Sequence, residues 1–135
     1  MSNLPTKPPR QNDDSAPFWA ATAEGRFTLQ RCDQCQEVVW WPRSLCPGCS
    51  SFDLEWFDAS GEGTIYSFTV VHQSQGRTWN AVTPYVLAYV ELDEGPRVMT
   101  NIVDCDPEAL AIDDRVRVVW DDTGEGNALP RFTPS

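Results

Sequence analysis

The stretch CDQCQEVVWWPRSLCPGC, residues 32–49, decides how the first third of this chain folds. It sets four cysteines as two CxxC pairs, ten residues apart, with the neighbours Trp40 and Trp41 between them. A CxxC turn aims two thiolates at one point, and two such turns facing each other complete a tetrahedron of sulfurs. The flanks read as short strands. Residues 26–31 alternate with Phe27 and Leu29 on one face, residues 38–41 form the returning strand that Pro42 breaks, and Phe52, Leu54 and Trp56 alternate as a third.

Roughly 30 residues cannot bury enough surface to hold three strands together without a staple. The expected staple is one structural zinc ion held by Cys32, Cys35, Cys46 and Cys49, with no open coordination position. Iron is the alternative that a four-sulfur site also accepts. Disulfides are the poorer reading. The N-terminus MSNLPTKPPRQNDDS is polar and proline-rich and lacks the apolar stretch of a secretory signal, so the expected compartment is the cytoplasm, where thiols stay reduced. No apolar run approaches the roughly 18 residues that span a bilayer, so no membrane association is expected. Cys105 stands apart and reads as a small, half-buried apolar residue.

Residues 1–15 read as a disordered arm and 16–25 as a short helix, capped from 13–15, with Pro17 in its first turn and Gly25 closing it in the left-handed conformation. A helix of two turns is marginal alone and must lie on something. Phe18 and Trp19 are its expected anchors, either on its own domain or on a partner protein. Neighbours in a strand point to opposite faces. One of Trp40 and Trp41 therefore faces into the ribbon, and the other meets the next domain, a partner or a ligand.

From residue 60 the pattern changes to successive strands: a long first one over 64–73 with Tyr66, Phe68 and Val70 on one face, then 85–92, 97–103, 115–120 and a last near 129–132. Val116, Val118 and Trp120 are expected inward, Arg115, Arg117 and Val119 outward. A helical turn over 108–110 precedes the fourth strand. The whole reads as mainly β: residues 26–59 a zinc ribbon, residues 60–135 a five-stranded barrel of the OB type.

The formal net charge is -10, and all of that excess lies after residue 49, where five basic side chains face fifteen acidic ones. Phosphate backbones are bound by Lys and Arg, so this is a poor nucleic-acid binder despite its barrel. The carboxylates are scattered through turns, the single histidine is His72, and no glycine-rich phosphate loop is present. None of these arrangements points to catalysis by this chain alone.

Taken in order, an FW-containing helix, GRFTLQRCDQCQ (25–36), WPRSLCPGCSSFDLEW (41–56), SGEGTIYSFTVVH (60–72), PYVLAYVELDEGPRVMTNI (84–102) and LPRFTPS (129–135) resemble the DUF35 family. These are OB-fold proteins with a rubredoxin-like zinc ribbon. The resemblance implies an accessory subunit associated with acyl-CoA. Its implied partners are a thiolase-like enzyme, a lipid-transfer-type aldolase of steroid side-chain degradation, or a MaoC-like hydratase. It implies Cys32, Cys35, Cys46 and Cys49 as ligands and carries over no catalytic residue. A CoA ester is the expected ligand, its apolar part in a crevice between ribbon and barrel lined by Trp41 and Phe68, its phosphates towards Arg31, Arg43 or arginines of the partner. Phe18, Trp19 and Trp40 are the expected partner contacts. Two other classes stand beside this reading: a nucleic-acid-binding barrel, which the acidity opposes, and a rubredoxin-like electron carrier, which an absorption spectrum tests.

Overall fold

The computed structural model describes residues 2–135. Strand β1 (Thr28–Cys32) runs directly into the first cysteine and lies between β2 (Val38–Val39) and β3 (Leu54–Asp58) in an antiparallel sheet. Phe27 and Leu29 join the main core, as their alternation predicts. The opposite face of β1 is covered too, because the Gln30 side chain accepts the Arg43 N–H at 2.9 Å and donates to the Arg43 carbonyl at 2.8 Å. Phe52, expected in the third strand, is 77% exposed and precedes β3.

Helix α1 (Ala16–Thr22) has Pro17 in its first turn, but Ser15 makes no side-chain cap bond. Asn12 holds this end instead. Its Oδ1 accepts the Ser15 N–H at 2.8 Å and its carbonyl accepts the Ala16 N–H at 2.9 Å, so the chain begins to wind before the expected cap. Gly25 closes the helix with φ +72°, the left-handed turn expected of it.

The second half is a closed barrel of five strands, β4 (Glu62–Val71), β5 (Tyr85–Leu92), β6 (Arg97–Ile102), β7 (Arg115–Asp122) and β8 (Ala128–Pro134), in the order β4-β5-β6-β8-β7. A short helix α2 (Arg77–Asn80) lies in the connection from β4 to β5, and a 3-10 turn (Pro107–Ala109) precedes β7. Gly63 is required where β4 crosses β5, since a Cβ there would lie 2.4 Å from the Glu91 carbonyl. A bulge between Ile65 and Ser67 divides the expected face of β4. Ile65 enters the core, Tyr66 turns out to solvent, and beyond the bulge Phe68 and Val70 pack on the core side. On β7, Val116 is buried and Val118 and Trp120 pack against the core; Val119, expected outward, is half-buried.

One core serves both halves. Phe18, Trp19, Phe27 and Leu29 from the first lie in one cluster with Ile65, Val90, Leu92, Val116 and Phe132 of the barrel. The expectation of a disordered arm is not met over its described part, and its first residue lies outside the described residues. Leu4 is buried, Ser2 hydrogen-bonds the Asp121 carboxylate, and the Pro5 carbonyl accepts from Arg131 at 2.6 Å. The segment settles because it satisfies a buried ion pair: Arg131 Nε lies 3.1 Å from Asp121, with both side chains buried. No helix among the described residues is long and apolar enough to cross a membrane.

Candidate metal centre and aromatic crevice

The two cysteine turns are built alike. In each, the N–H of the first cysteine donates to the carbonyl five residues on (Cys32 to Glu37, 2.9 Å; Cys46 to Ser51, 2.8 Å). In each, the residue four places on returns a bond to the first cysteine's carbonyl (Gln36, 2.8 Å; Ser50, 2.9 Å). Gln36 and Ser50 both sit in the left-handed region, at φ 67° and 64°, where glycine is the usual choice. The four Sγ atoms fall within 4.8 Å of one another, with Cys32 to Cys49 at 3.5 Å and Cys35 to Cys46 at 3.6 Å. Zinc at about 2.3 Å from each of four sulfurs gives tetrahedron edges of about 3.8 Å, so the donor set fits that ion. The N–H groups of Cys35 and Gln34 point their partial positive charge at the Cys32 sulfur and pull its thiol down to about 7, against the effect of burial. Zinc bound here would be structural, since four cysteines fill its coordination.

A crevice of about 440 Å³ lies between α1 with the tryptophan pair on one side and the barrel on the other. Trp40, Trp41, Trp79, Tyr85, Leu87 and Met99 form its walls, and Arg131 lines it as well. β2 ends at Val39, so strand alternation no longer governs the tryptophans that follow. Their rings meet edge to face at 4.7 Å, and both lie against Phe18, at 5.2 and 5.9 Å. The expectation that the pair divides between opposite faces is therefore replaced by one shared cluster.

Phe18 and Trp19, expected to contact a partner, are buried in the chain's own core. A helix of seven residues shows which side is apolar but not what covers it. Trp40 is half-buried in the same cluster, whereas Trp41 stays 41% exposed at the crevice mouth. Phe68 is on the core side of β4 and outside the crevice. Arg31 stacks on Phe57, 4.2 Å from the ring centroid, and neither it nor Arg43 lines the crevice.

Sequence reasoning missed Trp79, Tyr85, Leu87, Met99 and Arg131 of the crevice. Trp79 sits on α2 and its ring meets that of Tyr85 at 4.9 Å, tilted by 55°, a contact that no periodicity announces. Arg131 lies in an alternating strand where an arginine reads as exposed. It is buried because Asp121, Asn101 (2.7 Å) and Pro5 all accept from it. The buried indole nitrogen of Trp19 has no hydrogen-bond partner among the described residues.

Comparison with known proteins agrees with this architecture. Residues 19–55 match the rubredoxin-like zinc ribbon domain of ChsH2, and residues 56–121 match the ChsH2 C-terminal OB-fold domain. A probable enoyl-CoA hydratase alpha subunit of Thermomonospora curvata is 35% identical over 127 residues, which are 94% of this chain but 39% of that protein. The chain thus spans about two fifths of that relative's length. A DUF35 domain-containing scaffold protein of Methanothermobacter thermautotrophicus is 40% identical over 95 residues, 70% of this chain and 71% of the relative. Among solved structures, the Ltp2-ChsH2(DUF35) aldolase contains a chain that matches with a TM-score of 0.83 at 35% identity, over 94% of this chain and 98% of the other. With its ribbon and its barrel matched in order, this chain belongs to the DUF35 family of zinc-ribbon and OB-fold proteins.

Proposed function

We propose that this chain is a cytoplasmic accessory subunit of an enzyme that acts on acyl-CoA esters, a thiolase-like enzyme, an aldolase or a hydratase, and that it shapes part of the ester's binding site. The observation that carries the reading is the aromatic crevice. Its walls are apolar ring and side-chain surface, which suits a pantetheine arm or an acyl chain. Its polar groups are few and held in place. Arg131 spends three of its five N–H groups on Asp121, Asn101 and Pro5, which leaves two donors for a carbonyl or amide oxygen. The Trp19 N–H is one more donor, without a partner among the described residues. Among the described residues, no nucleophile with an adjacent base lines the crevice, so the chemistry is assigned to the partner. The metal site holds β1 and the Trp40–Trp41 segment in position, and its four cysteines lie outside the crevice.

The reading is supported by the names of the relatives, which include a hydratase subunit, a scaffold protein and an aldolase component. Calorimetry with a medium-chain acyl-CoA tests it. The isolated chain should bind weakly and the assembled complex tightly. Trp79→Ala should weaken binding to the complex about ten-fold, roughly 1.4 kcal/mol. Equal binding when this subunit is left out of the complex counts against a shared site.

A further inference from the structure

The outer face of the barrel continues from the crevice, whose walls include Leu87 and Met99, to Tyr89 and Tyr66, which lie outside it. In the register of the sheet Tyr89 stands opposite Met99 of β6 and Ser67 of β4, and Leu87 opposite Thr69, so Leu87, Tyr89 and Met99 share one outward surface. Tyr66, turned out by the bulge, lies beside them. Met99 is 63% exposed, Tyr66 and Tyr89 nearly half. Large apolar side chains gathered on one sheet face mark an interaction site.

Charge then selects the occupant. In barrels of this type the face of the second and third strands is a place for single-stranded nucleic acid, which requires free cations. The arginine at its edge, Arg97, is held by Glu91 at 2.9 Å and lies 3.7 Å over the Tyr66 ring. Of the five arginines after residue 49, Arg97, Arg115 and Arg131 are already ion-paired, against fifteen acidic residues. Phosphates would be repelled. A second copy would bring two barrels with the same acidic excess together. A protein surface that is apolar at its centre and basic at its rim fits both features. On the strength of the role proposed above, we infer that this face of β4, β5 and β6 is where the acyl-CoA enzyme docks, through an apolar patch ringed by Lys and Arg.

The test uses the full, tagged chain and the complex it forms in its own host, with the bound protein identified. Tyr66→Glu with Tyr89→Glu, both outside the crevice, should lower recovery of that enzyme at least about ten-fold. Zinc content and the unfolding transition should stay as in the parent. Tyr89→Glu alone carries the test if the double variant folds poorly. Phe52→Glu, an exposed apolar residue on the ribbon, should change nothing. Raising salt from about 0.05 to about 0.5 M should release the enzyme, since a basic rim is screened. Full recovery with the double variant overturns the surface and leaves the proposed function standing. A homodimer or bound nucleic acid lost in the same variant overturns the occupant. A face-dependent partner that does not act on acyl-CoA sinks the proposed function and keeps the surface, and a chain recovered alone counts against both.

Discussion

In the barrel, five paired strands close around Ile65, Val90, Leu92, Val98, Val116 and Phe132, all buried, so its own side chains fill its interior. The three strands of the ribbon are fewer and shorter, and the two core residues at their root, Phe27 and Leu29, belong to the cluster shared with the barrel. At its far end the ribbon buries Val39, Pro42 and two sulfurs. The barrel is held by area, the ribbon by a metal at one end and by borrowed aromatic packing at the other. The two supports differ in size and in what removes them, so they can be broken one at a time.

The largest effect expected is from the metal. Structural zinc sites bind with roughly 10–16 kcal/mol of apparent energy, which is folding energy wherever the ligands have no other reason to meet. Chelation under reducing conditions, or Cys46→Ser, should release backbone amides of β1, β2 and β3 to hydrogen exchange while those of β5 and β6 stay protected. Acidification should act in the same direction, because the ligands must be thiolates and the metal is lost as they take up protons. Protection lost equally from both halves would mean that the barrel depends on the ribbon, and the contrast would fail.

Next in size is the aromatic root. Phe18 is fully buried and touches Trp19 at 5.0 Å, Phe27 at 5.5 Å and both residues of the tryptophan pair. Phe18→Ala should cost about 3–5 kcal/mol, the range for removing a core ring, in urea unfolding followed at equilibrium. It should also loosen the crevice wall. Trp41→Ala, at the half-open edge of the same cluster, should cost clearly less. Equal losses would show that the cluster is supported from its rim rather than from Phe18.

This division also explains what was legible in the sequence. The metal site was, because four cysteines at fixed spacing are a local pattern and each turn closes on its own hydrogen bonds. The succession of barrel strands along the chain was as well, since β5 alternates over its whole length and β6 and β7 over their first residues. The crevice was not. Its members come from α1, the ribbon, α2 and three strands, and only tertiary packing brings them together. The same holds for Phe18 and Trp19, whose burial depends on what faces the helix. Tyr66 and Phe68 were placed on one face because an inserted residue shifts the period of two without altering composition. The seating of Leu4, Pro5 and Arg131 rests on a bond from the Arg131 side chain to the Pro5 carbonyl, at opposite ends of the chain, which no local window contains.

The smallest effect is expected from surface charge, and here the barrel again closes on itself. Arg115 at the start of β7 grips Asp93 in the β5–β6 turn through two bonds of 2.7 and 2.9 Å. The hydrogen bonds from the Arg115 guanidinium hold the Asp93 carboxyl below its ordinary range, against the opposing effect of burial. Both side chains are more than two fifths exposed, so solvent screens the pair. Its contribution should be only a few tenths of a kcal/mol, at the lower end of the roughly 0.2–1 found for exposed pairs. A carboxyl depressed in the folded state stabilises above its unfolded pKa of about 4 and loses that contribution as pH falls through the lower folded value. Asp93→Asn should therefore be slightly less stable than the parent at neutral pH, and the gap should close in strong acid and at high salt. Denaturant unfolding of the two proteins side by side, near neutrality and near pH 2, measures it. A gap that persists in acid would assign Asp93 to the geometry of its turn, where its N–H donates to the Glu62 carbonyl at 3.0 Å, and not to its charge.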